Sequence, residues 1–291
     1  MILEYTFSMK KIILTLFISL FFVQNVQAWT LFDCSDEASL KRLIKSQVKY
    51  ANHTNLKKLI STYDKDYVNG DGLNLEVYSK LVQDIWSTYK DIEYDIDIKS
   101  ICIKDDKAVM EVVEKSHADV IASHVIPGEL DSVSNSIYYF HKTEKGWKVV
   151  SDRVVDETTS LLYGDALGLD IKLTVPEEIK PDTEYSALLE FVPPQNTIAI
   201  ASLASDIVEY PQKQTQEVFR ALPEDNILER LFISNKDNHN EYIIASIGLT
   251  KTAVDDLSVK LSLSGFGYLI KRVNVTGANK GGFELSDVKA E

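Results

Sequence analysis

Asp64 stands between Tyr63 and Tyr67, and Tyr138, Tyr139, His141 and Asp152 follow within a second short stretch. A carboxylate or imidazole that takes a proton from carbon, beside a phenol that holds the resulting enolate oxygen, makes an acid–base site when an apolar pocket encloses both. Asp64 and His141 are therefore the acid/base alternatives. Asp64 is followed by Lys65 and Asp66, which is the composition of a solvated helix end. Tyr63, Tyr67, Trp86, Tyr139 and Trp147 are aromatic positions on elements that pack, and they are the candidate lining of a pocket for an apolar or planar ligand. The two faces of the segment around Tyr139 stay open, with Tyr139 and His141 on one and Tyr138 and Phe140 on the other. No residue is assigned as catalytic, and non-catalytic binding is the favoured expectation.

Other chemistries lack their residues. His117 and His124 are seven positions apart with no third ligand nearby, unlike a zinc site. Asp64, Asp66, Asn69 and Asp71 depart from a calcium loop at its fifth position and have no Glu at the twelfth. There is no Gly-x-Ser-x-Gly elbow, His-Glu-x-x-His pair or Gly-rich phosphate loop. No metal and no cofactor is expected. The chain has 44 acidic against 31 basic residues, a formal net charge of −13. Without a basic block it is not expected to bind nucleic acid.

The N-terminus points to export. Lys10 and Lys11 follow Met9, an apolar run extends from Ile12 to Val23, and Val26-Gln27-Ala28 offers small side chains to a signal peptidase. Residues 1–28 are expected to be removed, with Met9 as the true start, leaving a secreted or periplasmic chain. No later apolar run approaches the ~18 residues that span a bilayer. Cys34 and Cys102 form a disulfide candidate in an oxidising compartment; buried thiols are the alternative.

These residues need positioning elements. Ser35 caps an expected helix carrying Leu40, Leu43, Ile44, Val48 and Ala51. Thr54 would cap a second one carrying Leu56, Leu59, Ile60, Tyr63 and Tyr67. Asn74 starts a third with Tyr78, Leu81, Val82, Ile85 and Tyr89 inward. The period then changes to two: Ile92, Tyr94, Ile96 and Ile98 alternate with charged residues in a strand reaching about Ile103. Ala108 to Glu114, Ile137 to Lys142 and Trp147 to Val155 supply three more strands, with a polar segment between Glu114 and Ile137. Helices followed by an antiparallel meander imply an α+β unit.

Leu59-Ile60-Ser61-Thr62-Tyr63, Asp66-Tyr67-Val68, the Asp71-Gly72 loop, an Ile-x-Tyr-x-Ile strand and the closing Gly146-Trp147-Lys148-Val149-Val150-Ser151-Asp152 resemble the ketosteroid-isomerase / SnoaL-like superfamily, which also contains nuclear transport factor two. The resemblance covers residues 35–160. It implies a cone, three N-terminal helices on a curved antiparallel sheet with a pocket at the open end, and dimers through the exposed sheet face.

The second half reads as all-β. After a connector at Leu161 to Asp170, about seven short strands alternate with turns such as Asn235-Lys236-Asp237-Asn238. Their number fits a β-sandwich, generically immunoglobulin-like. The expected organisation is a signal at 1–28, a SnoaL-like cone at 29–165, a sandwich at 166–278 and a loose tail at 279–291. The expected partners are a small apolar ligand in the cone, a second copy through the cone sheet, and a protein of unknown identity on the sandwich. The alternative function is a SnoaL-like pocket enzyme, an isomerase, lyase or hydrolase.

Overall fold

Ser35 opens the first helix, accepting the Ala38 N–H at 3.1 Å. Asp36 and Glu37 lie in the first turn of this helix, α1 (Asp36–Asn52), and Lys49 in the last, each at the end of the dipole that favours its charge. Asn74 caps α3 (Leu75–Thr88) in the same way, through the Val77 N–H at 3.0 Å. Between them α2 is a short helix, Leu56–Ile60, capped by Asn55. The sequence predicted a cap at Thr54 and a helix running to Tyr67. Thr54 is instead left-handed, with φ of 49°. The hydroxyls of Ser61 and Thr62 then take the carbonyls of Lys58 and Leu59, which ends the helix. Tyr63 leaves as a bridge to Val149.

The computed structural model describes residues 35–122, 126–213, 215–255 and 258–275. The expected signal segment, Cys34, His124 and the tail at 279–291 lie outside the described residues, and so does any Cys34–Cys102 bridge. Cys102 is exposed.

Four long strands follow the helices: β1 (Glu93–Lys104), β2 (Lys107–Ala122), β3 (Ile126–Thr143) and β4 (Gly146–Gly164). Lys99 is an extra residue in β1, since Ile98 pairs with Val112 and Ser100 with Glu111. This bulge turns Ile101 and Ile103 to the face already used by Ile96 and Ile98, where all four pack on the helices. The segment from Glu114 to Ile137, expected to be a polar interruption, is for its described residues the paired outer part of β2 and β3. Its inward positions are Ser116, Ala118, Leu130, Ser132, Ser134 and Ser136, all buried. Hydroxyls at core-facing positions erase the apolar alternation by which a strand is recognised. β4 likewise continues beyond Val155. Leu161 and Tyr163 are buried strand residues, not part of a connector.

In the remaining chain, a 3-10 turn (Asp165–Gly168) leads to β5 (Lys172–Thr174), β6 (Glu178–Ile179), β7 (Glu184–Glu190), β8 (Thr197–Ile207), β9 (Arg220–Ala221), β10 (Ile227–Ile233), β11 (Glu241–Asp255) and β12 (Ser258–Val275). Among the described residues nine strands form one sheet in the order β1-β2-β3-β4-β12-β11-β8-β9, with β6 beside the end of β12. Apart from the β6–β12 pair, every pairing is antiparallel. The 165/166 position thus falls in the turn, while the sheet crosses it through β4 and β12. At that join Gly164 has φ of 57°, and a Cβ there would stand 2.4 Å from the Ser264 carbonyl oxygen; only glycine allows the strands so close. Phe266 stacks on Tyr163 at 4.5 Å beside it.

The helices cover one face of β1–β4, through Leu40, Ile44, Leu81, Val82 and Ile85 against Ile96, Met110, Phe140 and Val149. A second sheet, β10-β7-β5, packs on β8, β11 and β12 through Leu189, Phe191, Ala201, Ile243 and Leu269.

Candidate functional site

One set of buried polar groups lies under the helices on the inner faces of β2, β3 and β4. Register places Glu114, Ser134 and Glu157 side by side in one row, and Ser116, Ser132 and Thr159 in the next. All six are buried. The Ser134 hydroxyl donates to Glu114 at 3.1 Å, while Ser132 and Thr159 share a short contact.

Beside these rows stands a tyrosine cluster. The Tyr67 hydroxyl donates across both oxygens of Asp152, at 2.8 and 3.1 Å. The Tyr63 and Tyr78 hydroxyls bond each other at 2.9 Å. The three rings touch, with centroids 4.9 to 5.6 Å apart. Burial pushes Asp152 up to about 7, against the lowering effect of the Tyr67 donation, with Asp71 raising it and Arg272 lowering it further. Burial, then the Asp152 charge, holds the Tyr67 phenol well above its usual range. An acid poised near neutrality beside a phenol can exchange a proton with a bound group that reaches it.

A third set joins the two halves of the chain. Asn69 accepts the N–H groups of Asp71 and Leu73, and Gly70 N–H donates to the Asp152 carbonyl, so the loop carrying Asp71 is fixed. Asp71 receives Arg272 of β12 in a bidentate pair at 2.6 and 3.1 Å. Asn240 donates to the same carboxylate, and the Arg272 Nε–H to Asn274. Burial works against the guanidinium charge, but Asp71, Tyr242 and Glu157 together outweigh it, so Arg272 stays above its ordinary value. Opposite Arg272 in the ladder, Tyr242 donates to Glu157 at 2.9 Å, and burial raises Glu157 to about 7 although Arg272 and this bond lower it.

The structure brings together Tyr63 and Tyr67 of the expected pocket lining, but not the others. Trp86 donates to the Tyr94 hydroxyl at 3.2 Å beneath α3. Trp147 donates to Asp36 at the start of α1. Tyr139 packs with Val109 on the sheet face away from the helices, whereas Tyr138 and Phe140 face them. Asp64 caps its own turn by accepting the Asp66 N–H. His141 pairs with Asp106 at the surface, and His117 with Asp131. Among the described residues no cluster of metal-ligating side chains occurs, and no helix is long and apolar enough to cross a membrane. Asp152 and Tyr67 carried a sequence signal as residues of the right type. Glu157, Tyr242 and Arg272 carried none, and Asp71 was marked only by its loop, because their partners lie far along the chain.

About two fifths of the chain, at its N-terminal end, has counterparts among solved structures. It is similar to NTF2-like and SnoaL-like proteins. One is a candidate dehydratase of the NTF2-like family from Streptomyces avermitilis (13% identity, 41% of this chain and 94% of that one, TM-score 0.35). Another is a candidate SnoaL-like polyketide cyclase from Shewanella putrefaciens (12% identity, 45% and 91%, TM-score 0.29). The third, Bd1075 of Bdellovibrio bacteriovorus, is matched over 40% of this chain at 14% identity and TM-score 0.35; the match spans 39% of that chain's own length. No family model matches the sequence, and comparison with curated proteins returns no match.

Proposed function

We propose that the protein is an exported binding or scaffold protein without turnover, built from a cone and an immunoglobulin-like pair of sheets. The cone would take a small apolar ligand or a second copy of the chain, and the paired sheets would contact another protein. The observation that carries this reading is that the groups around Asp152 are engaged with one another. Asp152 accepts Tyr67 on both oxygens, Tyr63 and Tyr78 bond each other, and the rings between them are in van der Waals contact. A catalytic base must instead present an oxygen to the substrate proton. The buried Asp71–Arg272 pair also supports a scaffold, since it ties the halves into a fixed frame.

Native mass spectrometry of the secreted form tests the reading. A retained ligand or a dimer is expected, with an N-terminus at Trp29; an uncleaved, ligand-free monomer overturns it. The second reading, proton-transfer catalysis of the SnoaL-like kind, is favoured by the raised Asp152 beside Tyr67. Deuterium exchange into a panel of enolisable ketones separates the two. Exchange catalysed by the native chain and abolished in a folded Asp152→Asn variant would establish the enzyme.

A further inference from the structure

A groove of about 780 Å³ lies outside this interior, between α1 and β1. The sheet ends at β1, and α1 runs along that edge. Asn52 closes the edge at Tyr94, donating to its carbonyl and accepting its N–H. Beyond it the helix and the strand part.

Lys41, Lys45 and Lys49 line the groove from the helix side. Four residues apart, they form one row along the helix surface. Lys99 lines it from the strand, at the bulge. The floor is apolar. Val48 comes from the helix, and Ile98 and Ile101 come from the strand. Those two isoleucines share a face only because Lys99 is the extra residue between them. The bulge therefore builds the floor and supplies a cation to its rim in one step.

The charges are unequal. Lys41 is paired with Glu37, and Lys99 lies 3.7 Å from Asp97. Lys45 and Lys49 have no acidic partner among the described residues. In a chain of net charge −13 this is a local cationic site over apolar surface. A hydrated ammonium on a flexible stem suits a single carboxylate, and its methylenes extend the floor. The volume falls within the range of small-molecule sites, roughly 300–1,000 Å³. An anionic membrane surface fits less well, because the net charge opposes it and Glu37 and Asp97 stand on the same rim.

We propose that this groove binds a free long-chain carboxylate, with its acid group between Lys45 and Lys49 and its chain over Val48, Ile98 and Ile101. The site is separate from the tyrosine interior, so it stands or falls independently of the reading above.

Titration of the full secreted chain with myristate tests it, followed by fluorescence displacement of an anthroyloxy fatty acid. Saturable binding is expected. Lys45→Glu/Lys49→Glu should weaken it at least tenfold with no change in thermal midpoint. Lys172→Glu, an exposed lysine on β5, should leave it within twofold. Tetradecanol should bind at least tenfold more weakly than myristate. Absence of saturable myristate binding overturns the proposal, and so does equal loss in the Lys172→Glu protein. Binding to phosphatidylglycerol vesicles without binding of monomeric myristate also overturns it, in favour of a lipid surface.

Discussion

Arg272 and Asp71 are 201 residues apart in sequence and form a bidentate ion pair with side chains 1% and 4% exposed. The pair sits where the loop between α2 and α3 meets β12, beside Glu157 and Asp152. Taking two charges out of water is expensive, and a buried pair is weak evidence for net stability. Its consequence is specificity: the loop and the strand have one relative position in which neither charge is stranded.

Arg272→Met should therefore cost about 3–5 kcal/mol, because Asp71 and Glu157 remain buried without their cation. Chemical denaturation measures it. Asp71→Asn/Arg272→Met should recover part of the loss, giving a coupling energy well above the few tenths expected of independent sites. Additive single effects would show that the pair does not hold the loop to the strand.

Glu157 makes stability depend on pH in a stated direction. Its carboxyl is raised from 4.5 to about 7 by burial, so between those values the native state holds a proton that the unfolded state has lost. The contribution is fully present below about 4.5 and disappears as pH rises through 7. It amounts to up to about 3 kcal/mol. Asp36 and Asp165, lowered by their lysine partners, act in the opposite sense. The clean comparison is the difference between the native chain and Glu157→Gln. Urea melts at pH 5 and pH 8 should show a smaller loss of stability with rising pH in the variant. An unchanged difference would mean that Glu157 is ionised throughout.

Tyr67→Phe removes the donor to both oxygens of Asp152 and leaves a buried carboxyl without that bond. The expected cost is about 1–3 kcal/mol. Because the Tyr67 bond lowers the Asp152 value, its loss should move the titration upward. Carbonyl infrared bands of the carboxylic acid, followed against pH in the native and variant chains, would record the shift. A downward movement would show that Tyr67 does not donate to the ionised form.

The parts of this structure legible in the sequence are those whose signal is local. Ser35 and Asn74 are caps because their side chains reach forward to the N–H three residues on, and the β1 alternation is visible because its outward positions are charged. α2 was misread at Thr54 since Asn55 caps as well and the deciding feature is a backbone angle. The outer halves of β2 and β3 were lost because Ser116, Ser132, Ser134 and Ser136 occupy core positions that a pattern reading assigns to solvent. That same substitution of hydroxyls for methyls concealed the interior polar rows. The Asp71–Arg272 contact lay beyond reach for another reason: no local pattern marks which of 31 basic residues meets which of 44 acidic ones.

The bulge in β1 makes a prediction that a regular strand would not. Side chains alternate along a strand, so removing one residue turns every later side chain to the other face unless the ladder already contains an extra residue. Deleting Lys99 removes that extra residue. Ile98, Ser100 and Ile101 would then oppose Val112, Glu111 and Met110 one for one, with Ile98 and Ile101 still on the helix side. Deleting Asp97 shortens the strand equally but leaves a choice of faults. With regular pairing from Ile96, Ile98 turns to solvent and Lys99 turns into the apolar interior. Burying a large aliphatic side chain is worth about 1.5–3 kcal/mol, and an unpaired ammonium in its place adds to the loss. The Lys99 deletion should thus stay within about 1 kcal/mol of the native chain, whereas the Asp97 deletion should fall at least about 2 kcal/mol below it. Urea midpoints at constant m-value decide the matter. Equal destabilisation by the two deletions would mean that the face of Ile98, Ile101 and Ile103 is set by the helices and not by the ladder.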